Sequence, residues 1–337
     1  MSNLRLHSLQ IKYLISKKNN KLVIFLSTKF LTDPDKPPFL ENYTFFGLKL
    51  ASVNTKSDFG IIGVPMDFGS TYRVGQRFAP QKIRELSKII SGVDFFLKED
   101  IFQEFSVFDY GDINVVPGYI DNSLKIIEDY LSRISKDVNM VHVGGDHLVT
   151  LPILRSLYKK FGKIELIDFD AHTDTWDNIY ESEFSHANWL RKAIIEGLVS
   201  KVTQVSIRGS LYSEKDTDFQ EKYGVNVYDM KKIRDIGFEN VMKEIQRNIE
   251  TESVYITVDI DAVDPAYAPG TGVPEPGGLT SWEIMSFFRS INFNAVGMDL
   301  VEIIPSYDHS DITSILGANI IFLYLSSQAK LLKYRNL

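Results

Sequence analysis

The sequence predicts an α/β domain built on a parallel sheet, and three observations carry that prediction. Short apolar runs recur from Asp58 onward, each too short and too β-branched to make a good helix. Stretches with helical periodicity alternate with them. Polar residues of unusual type fall just past the C-terminal ends of the runs, the edge at which an open parallel α/β sheet binds ligands.

The first 55 residues read differently from the rest. "SKKNN" and "TDPDKPPFLENY" are loop-like by their Asn, Asp and Pro content, so residues 1–55 are expected to form an N-terminal extension that packs on the domain or makes subunit contacts. Residues 56–337 are expected to be one catalytic domain, a length normal for a large α/β unit. Its predicted strands are "FGIIGV", "FSVFDYG", "NMVHVGG", "IELIDFD", "VTQVSIRG", "SVYITVDID" and "NAVGMDLVE", whose continuous apolar character suits burial on both faces. Predicted helices include "APQKIRELSKIIS", "DNSLKIIEDYLSRIS", "TLPILRSLYKKFG" and "SHANWLRKAIIEGLVS". The run "KLVIFLSTKFL" is too short to span a bilayer, and the N-terminus lacks the apolar core and small-residue cleavage site of a signal peptide. No membrane contact and a cytoplasmic location are therefore expected.

Composition narrows the chemistry. Hydrophobic residues at 44% and charged residues at 24% are ordinary globular values. A formal net charge of -7 argues against a nucleic-acid partner, which wants a basic face, and suits a cationic small substrate. The absence of cysteine excludes disulfides, thiolate metal sites and a cysteine nucleophile.

The polar residues at the strand ends define the candidate site. His147 follows "NMVHVGG"; Asp170, His172 and Asp174 follow "IELID"; Asp259 and Asp261 end "SVYITVDID". In "DAHTD" and "DID" the side chains two apart point to one side of an extended or tightly turning segment. Four aspartates and two histidines are a hard-to-borderline donor set that suits Mn²⁺ and is compatible with Ni²⁺, Co²⁺, Fe²⁺ or Zn²⁺. Six such groups are too many for one ion with an open position. They fit two ions sharing bridging carboxylates, and four carboxylates balance two divalent charges. Two close ions can clamp a water and lower its pKa from 15.7 toward roughly neutral, giving a hydroxide poised for an electrophile.

Taken together the motifs resemble the ureohydrolase family: arginases, agmatinases and related guanidino hydrolases. The matching pieces are "GGDH" (Gly144–His147), "DAHTD" (Asp170–Asp174), "SH" (Ser185–His186), "DIDAVDP" (Asp259–Pro265), "APGTGVPEPGGLT" (Ala268–Thr280) and "GMDLVE" (Gly297–Glu302). The resemblance covers roughly residues 55 to 330 and rests on all the pieces occurring in this order. It implies a three-layer α/β/α arginase-like fold with a mainly parallel eight-stranded sheet, a binuclear manganese centre and a homo-oligomer, trimer or hexamer. It implies that His147, Asp170, Asp174 and Asp259 hold one ion, and Asp170, His172, Asp259 and Asp261 the other. Asp174 would also orient the attacking hydroxide, Glu275 would pair with the substrate guanidinium, and His186 would pass a proton to the leaving amine. "DAHTD" followed by Thr175–Trp176 looks more like the agmatinase branch than the arginase branch.

Each motif also has a plainer reading. "DAHTD" alone is compatible with a polar turn holding an ion pair, "GGDH" with a turn into a helix, His186 with a helix-start residue, and Glu275 with a surface carboxylate. Asp146, Asp168 and Glu302 read as supporting or packing groups. His142 reads as a core histidine, His7 and His309 as solvent-side residues, and Asp177 has no assigned role. Trp176, Ala187 and Trp189 suit either a narrowed pocket or packing, and the loop Thr175–Ser185 is where substrate length is expected to be read. The first expectation is hydrolysis of agmatine to putrescine and urea. A guanidino acid such as guanidinobutyrate or guanidinopropionate, or free guanidine, is the second. A non-catalytic metal-binding scaffold and a metallophosphatase are readings from other classes.

Overall fold

The computed structural model of the chain describes residues 15–18, 21–24, 43–178, 180–211 and 213–335. Most of the N-terminal extension, with Asn19–Asn20, most of "KLVIFLSTKFL" and of "TDPDKPPFLENY", and His7, lies outside the described residues. Ser16–Lys18 of "SKKNN", expected to be loop, lie instead in the strand Ile15–Lys18, which pairs antiparallel with Lys21–Ile24. Eight strands form the main sheet: β1 (Phe59–Gly63), β2 (Val107–Asp112), β3 (Asn139–Val143), β4 (Ile164–Phe169), β5 (Val199–Ile207), β6 (Asn226–Asp229), β7 (Val254–Asp259) and β8 (Ala295–Val301). Their order is β2-β1-β3-β8-β7-β4-β5-β6, and every pairing is parallel.

Seven of these strands correspond to the runs read from the sequence; β6, the eighth, is the short edge strand "NVYD", whose four residues leave too little alternation to detect. The stretch "SHANWLRKAIIEGLVS" also divides differently from the expectation. His186–Asn188 is a 3-10 turn, Trp189–Ile195 is helix, and β5 already begins at Val199, since Gly197 takes φ +69 and ends the helix.

The order places the site. β2, β1 and β3 make up one half of the sheet, β4 to β6 run outward in the other, and β8 and β7 fill the gap between β3 and β4. The loops after β3, β4, β7 and β8 therefore meet at a topological switch point on the C-terminal edge. One sheet face is covered by the helices Ile120–Ser132, Thr150–Phe161 and Trp189–Ile195, whose apolar residues share a core with Ile62, Met140, Leu166 and Tyr255. On the other face Ile61, Val141, Phe169 and Val258 pack with the helices Ala79–Ser87, Phe238–Arg247, Ser281–Ser290 and Ile312–Arg335. Burial on both faces explains why the strands read as unbroken apolar runs. By length and composition Ile312–Tyr334 could cross a membrane, but 72% of its apolar window is buried inside this fold, as in a core helix.

Candidate metal centre

The centre is built from short turns that close on themselves. Asp170 Oδ1 accepts the His172 backbone N–H at 2.6 Å, and Asp259 Oδ1 accepts that of Asp261 at 2.9 Å. Each bond curls the chain over two residues, so that D-x-H and D-x-D present both side chains to one side. Asp261 Oδ1 accepts the Ala171 N–H at 3.1 Å and ties the two turns together. His147 arrives through Gly144–Gly145, where the chain approaches the Met66 backbone so closely that a Cβ on Gly145 would lie 1.5 Å from Met66 O.

All six predicted ligands converge. His147 Nδ1 lies 3.1 Å from Asp170 Oδ2, 3.2 Å from Asp174 Oδ2 and 3.4 Å from Asp259 Oδ2. His172 Nδ1 lies 3.1 Å from Asp261 Oδ2 and 3.5 Å from Asp170 Oδ1. Two groups able to hold an ion emerge, His147–Asp170–Asp259 and Asp170–His172–Asp261, each with ligand atoms within 4.8 Å of one another. Asp170 belongs to both, one oxygen facing each histidine, whereas Asp259 joins only the first.

The electrostatics of this cluster call for cations. Burial together with Asp261 and Asp170 pushes Asp259 well above the usual carboxylate range, and burial with Asp170 pushes Asp174 up to about 6. Burial opposes charge on Asp170 too, but His147 and His172 outweigh it and hold that carboxyl below its ordinary value. Burial likewise opposes charge on His147, yet Asp170, Asp174 and Asp259 hold the ring well above the usual histidine range. His147 Nδ1 and Asp170 Oδ2 are buried without a hydrogen-bond partner. An acceptor pair left facing inward among carboxylates fits a metal ion, and the oxygen-rich donor set fits a hard one.

Beside the cluster sits His186. Its Nδ1 lies 2.9 Å from Glu302 Oε1, and Thr71 offers its Nε2 both a backbone N–H at 3.1 Å and a hydroxyl at 2.8 Å. The neutral ring can accept from the first and the charged ring can donate to the second, so either protonation state finds a partner. Burial lowers its pKa, but Glu302, Asp174 and Asp146 more than offset this and hold it at about 9. Glu302, at φ +63, also accepts the His147 backbone N–H at 2.9 Å and Gln76 Nε2 at 2.7 Å. It thus joins the proton-carrying ring to the turn that carries a candidate ligand.

A cavity of about 310 Å³ opens over these groups. Asp174, His172, Asp259 and Asp261 lie at its metal side, with His186, Thr71 and Glu302 beside them; Trp176, Tyr180, Ala187, Ser210, Leu211, Val273 and Glu275 complete the lining. The sequence model of the arginase family matches residues 57–326.

The chain belongs to the arginase family.

Members of this family depend on a binuclear metal centre, and the chain is a hydrolase acting on guanidino compounds. It is 36% identical to a guanidinobutyrase of Pseudomonas aeruginosa over 269 residues, 79% of this chain and 84% of that one. It is 37% identical to a mitochondrial agmatinase of Gallus gallus, covering 79% of each chain. The solved structure of proclavaminate amidino hydrolase from Streptomyces clavuligerus superposes with a TM-score of 0.84 at 34% identity, covering 88% of this chain and all of that one.

Within this arginase-family site the aromatic residues separate. Trp189 is fully buried; its ring lies 4.5 Å from that of His147, and its Nε1–H donates to Asp174 Oδ2 at 2.7 Å. It packs and orients, and it is Trp176 and Ala187 that reach the cavity. His142 is buried, and burial lowers its pKa to about 3; His309 is exposed, as read from the sequence. Asp146 caps the turn at His147 and is pushed up to about 8 by burial and Glu302. Asp177 makes an exposed ion pair with Arg191. Sequence reading missed Thr71 and the Ser210–Leu211 wall. Both follow the C-terminal ends of strands, β1 and β5, so the edge rule applied to every strand would have found them.

Proposed function

We propose that the chain hydrolyses the guanidinium of agmatine to putrescine and urea. The observation that carries this reading is the pairing of two ligand groups through Asp170 beneath a cavity that holds carboxylates and, among the described residues, no lysine or arginine. A dicationic substrate suits such a lining, whereas a guanidino acid would bring its carboxylate there without a cation to meet it.

In this reading His147, Asp170, Asp174 and Asp259 would hold one ion, and Asp170, His172, Asp259 and Asp261 the other; Asp170 is the residue common to both candidate groups. When bound, the ions, Mn²⁺ by the oxygen-rich donor set with Ni²⁺ compatible, would supply a water acidic enough to act as nucleophile near neutral pH. Glu275 pairs with the guanidinium and turns its carbon toward the floor of the cavity. Asp174 takes up the proton released by the attacking water at Oδ1, since Oδ2 is engaged by Trp189. His186 gives a proton from Nε2 to the nitrogen that leaves with the C–N electron pair, and Glu302 steadies the ring at Nδ1. Thr71 Oγ1, 2.8 Å from Nε2, stands where that proton can be replaced.

The test is urea release after loading with Mn²⁺ or Ni²⁺, compared over agmatine, arginine, guanidinobutyrate, guanidinopropionate and guanidine. Agmatine should give the highest kcat/KM. The similarity to a guanidinobutyrase supports guanidinobutyrate as the second reading, and a higher kcat/KM for that compound would select it. No urea from any substrate, with two ions bound per chain, would leave the scaffold reading.

A narrower test addresses Glu275. Gly209 has φ +85, and a Cβ there would lie 2.8 to 3.0 Å from the atoms of the Glu275 carboxyl group. Gly209→Ala should therefore displace that carboxylate and raise KM about tenfold with metal content unchanged. An unchanged KM would remove Glu275 from substrate binding.

A further inference from the structure

Five polar residues form one row across the middle of the sheet, one layer beneath the candidate metal centre. Gln204, Asp168, Thr257, Asp299 and His142 are register partners on β5, β4, β7, β8 and β3. All five are buried. A carboxylate in such a place needs donors, and Asp299 has three. Thr257 Oγ1 lies 2.5 Å from Oδ1, while Thr150 Oγ1 at 2.9 Å and Tyr255 OH at 3.0 Å meet Oδ2.

The direction of each bond follows from what each group can do. The ionised carboxylate only accepts, so the Thr257 hydroxyl spends its proton on Asp299. Its oxygen is then an acceptor for His147 Nε2, 2.9 Å away. His147 therefore carries a proton on Nε2 toward Thr257, and Nδ1 is the nitrogen that faces Asp170, Asp174 and Asp259. At the far end the Met298 carbonyl only accepts, so His142 Nδ1 donates, to it at 3.1 Å and to Tyr255 OH at 3.0 Å. That leaves the Tyr255 proton for Asp299. This one arrangement of protons satisfies Tyr255 OH, both oxygens of Asp299, the Thr257 hydroxyl and His147 Nε2 together, and leaves His147 Nδ1 as the atom without a hydrogen-bond partner.

We propose that Thr257 and Asp299 are positioning residues that fix the tautomer and orientation in which His147 takes its metal ion. The proposal rests on the reading of His147 as a ligand. An imidazole whose second nitrogen donates toward a carboxylate is held in one orientation and made more basic at the other nitrogen. Here a threonine hydroxyl relays that influence, because the carboxylate sits on the neighbouring strand at the same register position.

The experiment is a Mn²⁺ titration of the full-length chain, with free ion read by electron paramagnetic resonance. Thr257→Val keeps the shape and removes the acceptor, Thr257→Ser keeps the hydroxyl, and His147→Asn is the control. Thr257→Val should bind one of its two ions about ten- to a hundredfold more weakly, with the other unchanged, and Thr257→Ser should stay within about threefold of wild type. Wild-type affinity in Thr257→Val overturns the proposal, as does a Thr257→Ser as weak as the valine variant. If His147→Asn keeps both ions at wild-type affinity, the reading of His147 as a ligand fails instead. Should Thr257→Val not fold, Asp299→Asn carries the same titration. The visible absorption of its Co²⁺-loaded form should then differ from wild type, and an unchanged spectrum with unchanged affinity overturns the proposal.

Discussion

Asp170→Asn should cost the chain metal as well as rate. The substitution is nearly isosteric, but it removes a negative charge and turns one oxygen into an amide that cannot coordinate. Asp170 is the residue common to both candidate ion groups, with Oδ2 3.1 Å from His147 Nδ1 and Oδ1 3.5 Å from His172 Nδ1. Its loss should therefore weaken both groups, where a change at Asp261 or His147 would weaken one. We expect fewer than two ions per chain at micromolar free Mn²⁺. We also expect kcat/KM to fall by about three orders of magnitude, as for the loss of several kcal/mol of transition-state stabilisation. Metal analysis of the purified variant beside a urea assay reads both quantities. Full occupancy in the variant would mean that the bridge is misplaced. High Mn²⁺ should recover part of the rate if weak binding is the main defect.

How much of the fold and of the site is legible in the sequence follows from where each residue gets its signal. The six candidate ligands lie in two strand-end motifs and one loop, and their types in that spacing have few uses other than metal binding. Their convergence follows from the edge rule for parallel sheets. The seven longer strands are legible because burial on both faces leaves an unbroken apolar run, while β6 is not, being four residues at the sheet edge. Trp189 is ambiguous in the sequence because a tryptophan near "SH" suits a pocket wall as well as a core. Only packing shows that its Nε1–H is committed to Asp174. The role of Glu302 as the joint between His186 and the His147 turn is hidden for another reason. It depends on contacts with partners 116 and 155 residues away, which no local pattern encodes. The same holds for the Asp299 row, whose members look like isolated polar interruptions until the strand register lines them up.

His186→Ala should leave the metal centre intact and slow turnover. No predicted ligand is hydrogen-bonded to the ring: its polar contacts are Glu302 and Thr71, and Glu302 keeps its bonds to the His147 N–H and to Gln76 when the ring is gone. Two ions per chain should remain. The lost function is proton delivery to the leaving nitrogen, for which kcat should fall by about 10² to 10³ with KM within a few-fold. An unaffected kcat would remove His186 from proton transfer. Stability gives an independent measure. Glu302, aided by Asp174 and Asp146, raises the folded-state pKa to about 9 against burial, while the unfolded ring titrates near 6.5. A raised pKa means that the folded state holds the proton more tightly. The stabilisation from charged His186 is therefore fully present below pH 6.5 and lost as pH rises through about 9. Measured on chelator-treated protein, the Tm gap between wild type and His186→Ala should be widest near pH 6 and narrow toward pH 9.5. A gap that stays constant over that range would show that the ring contributes packing and no charge.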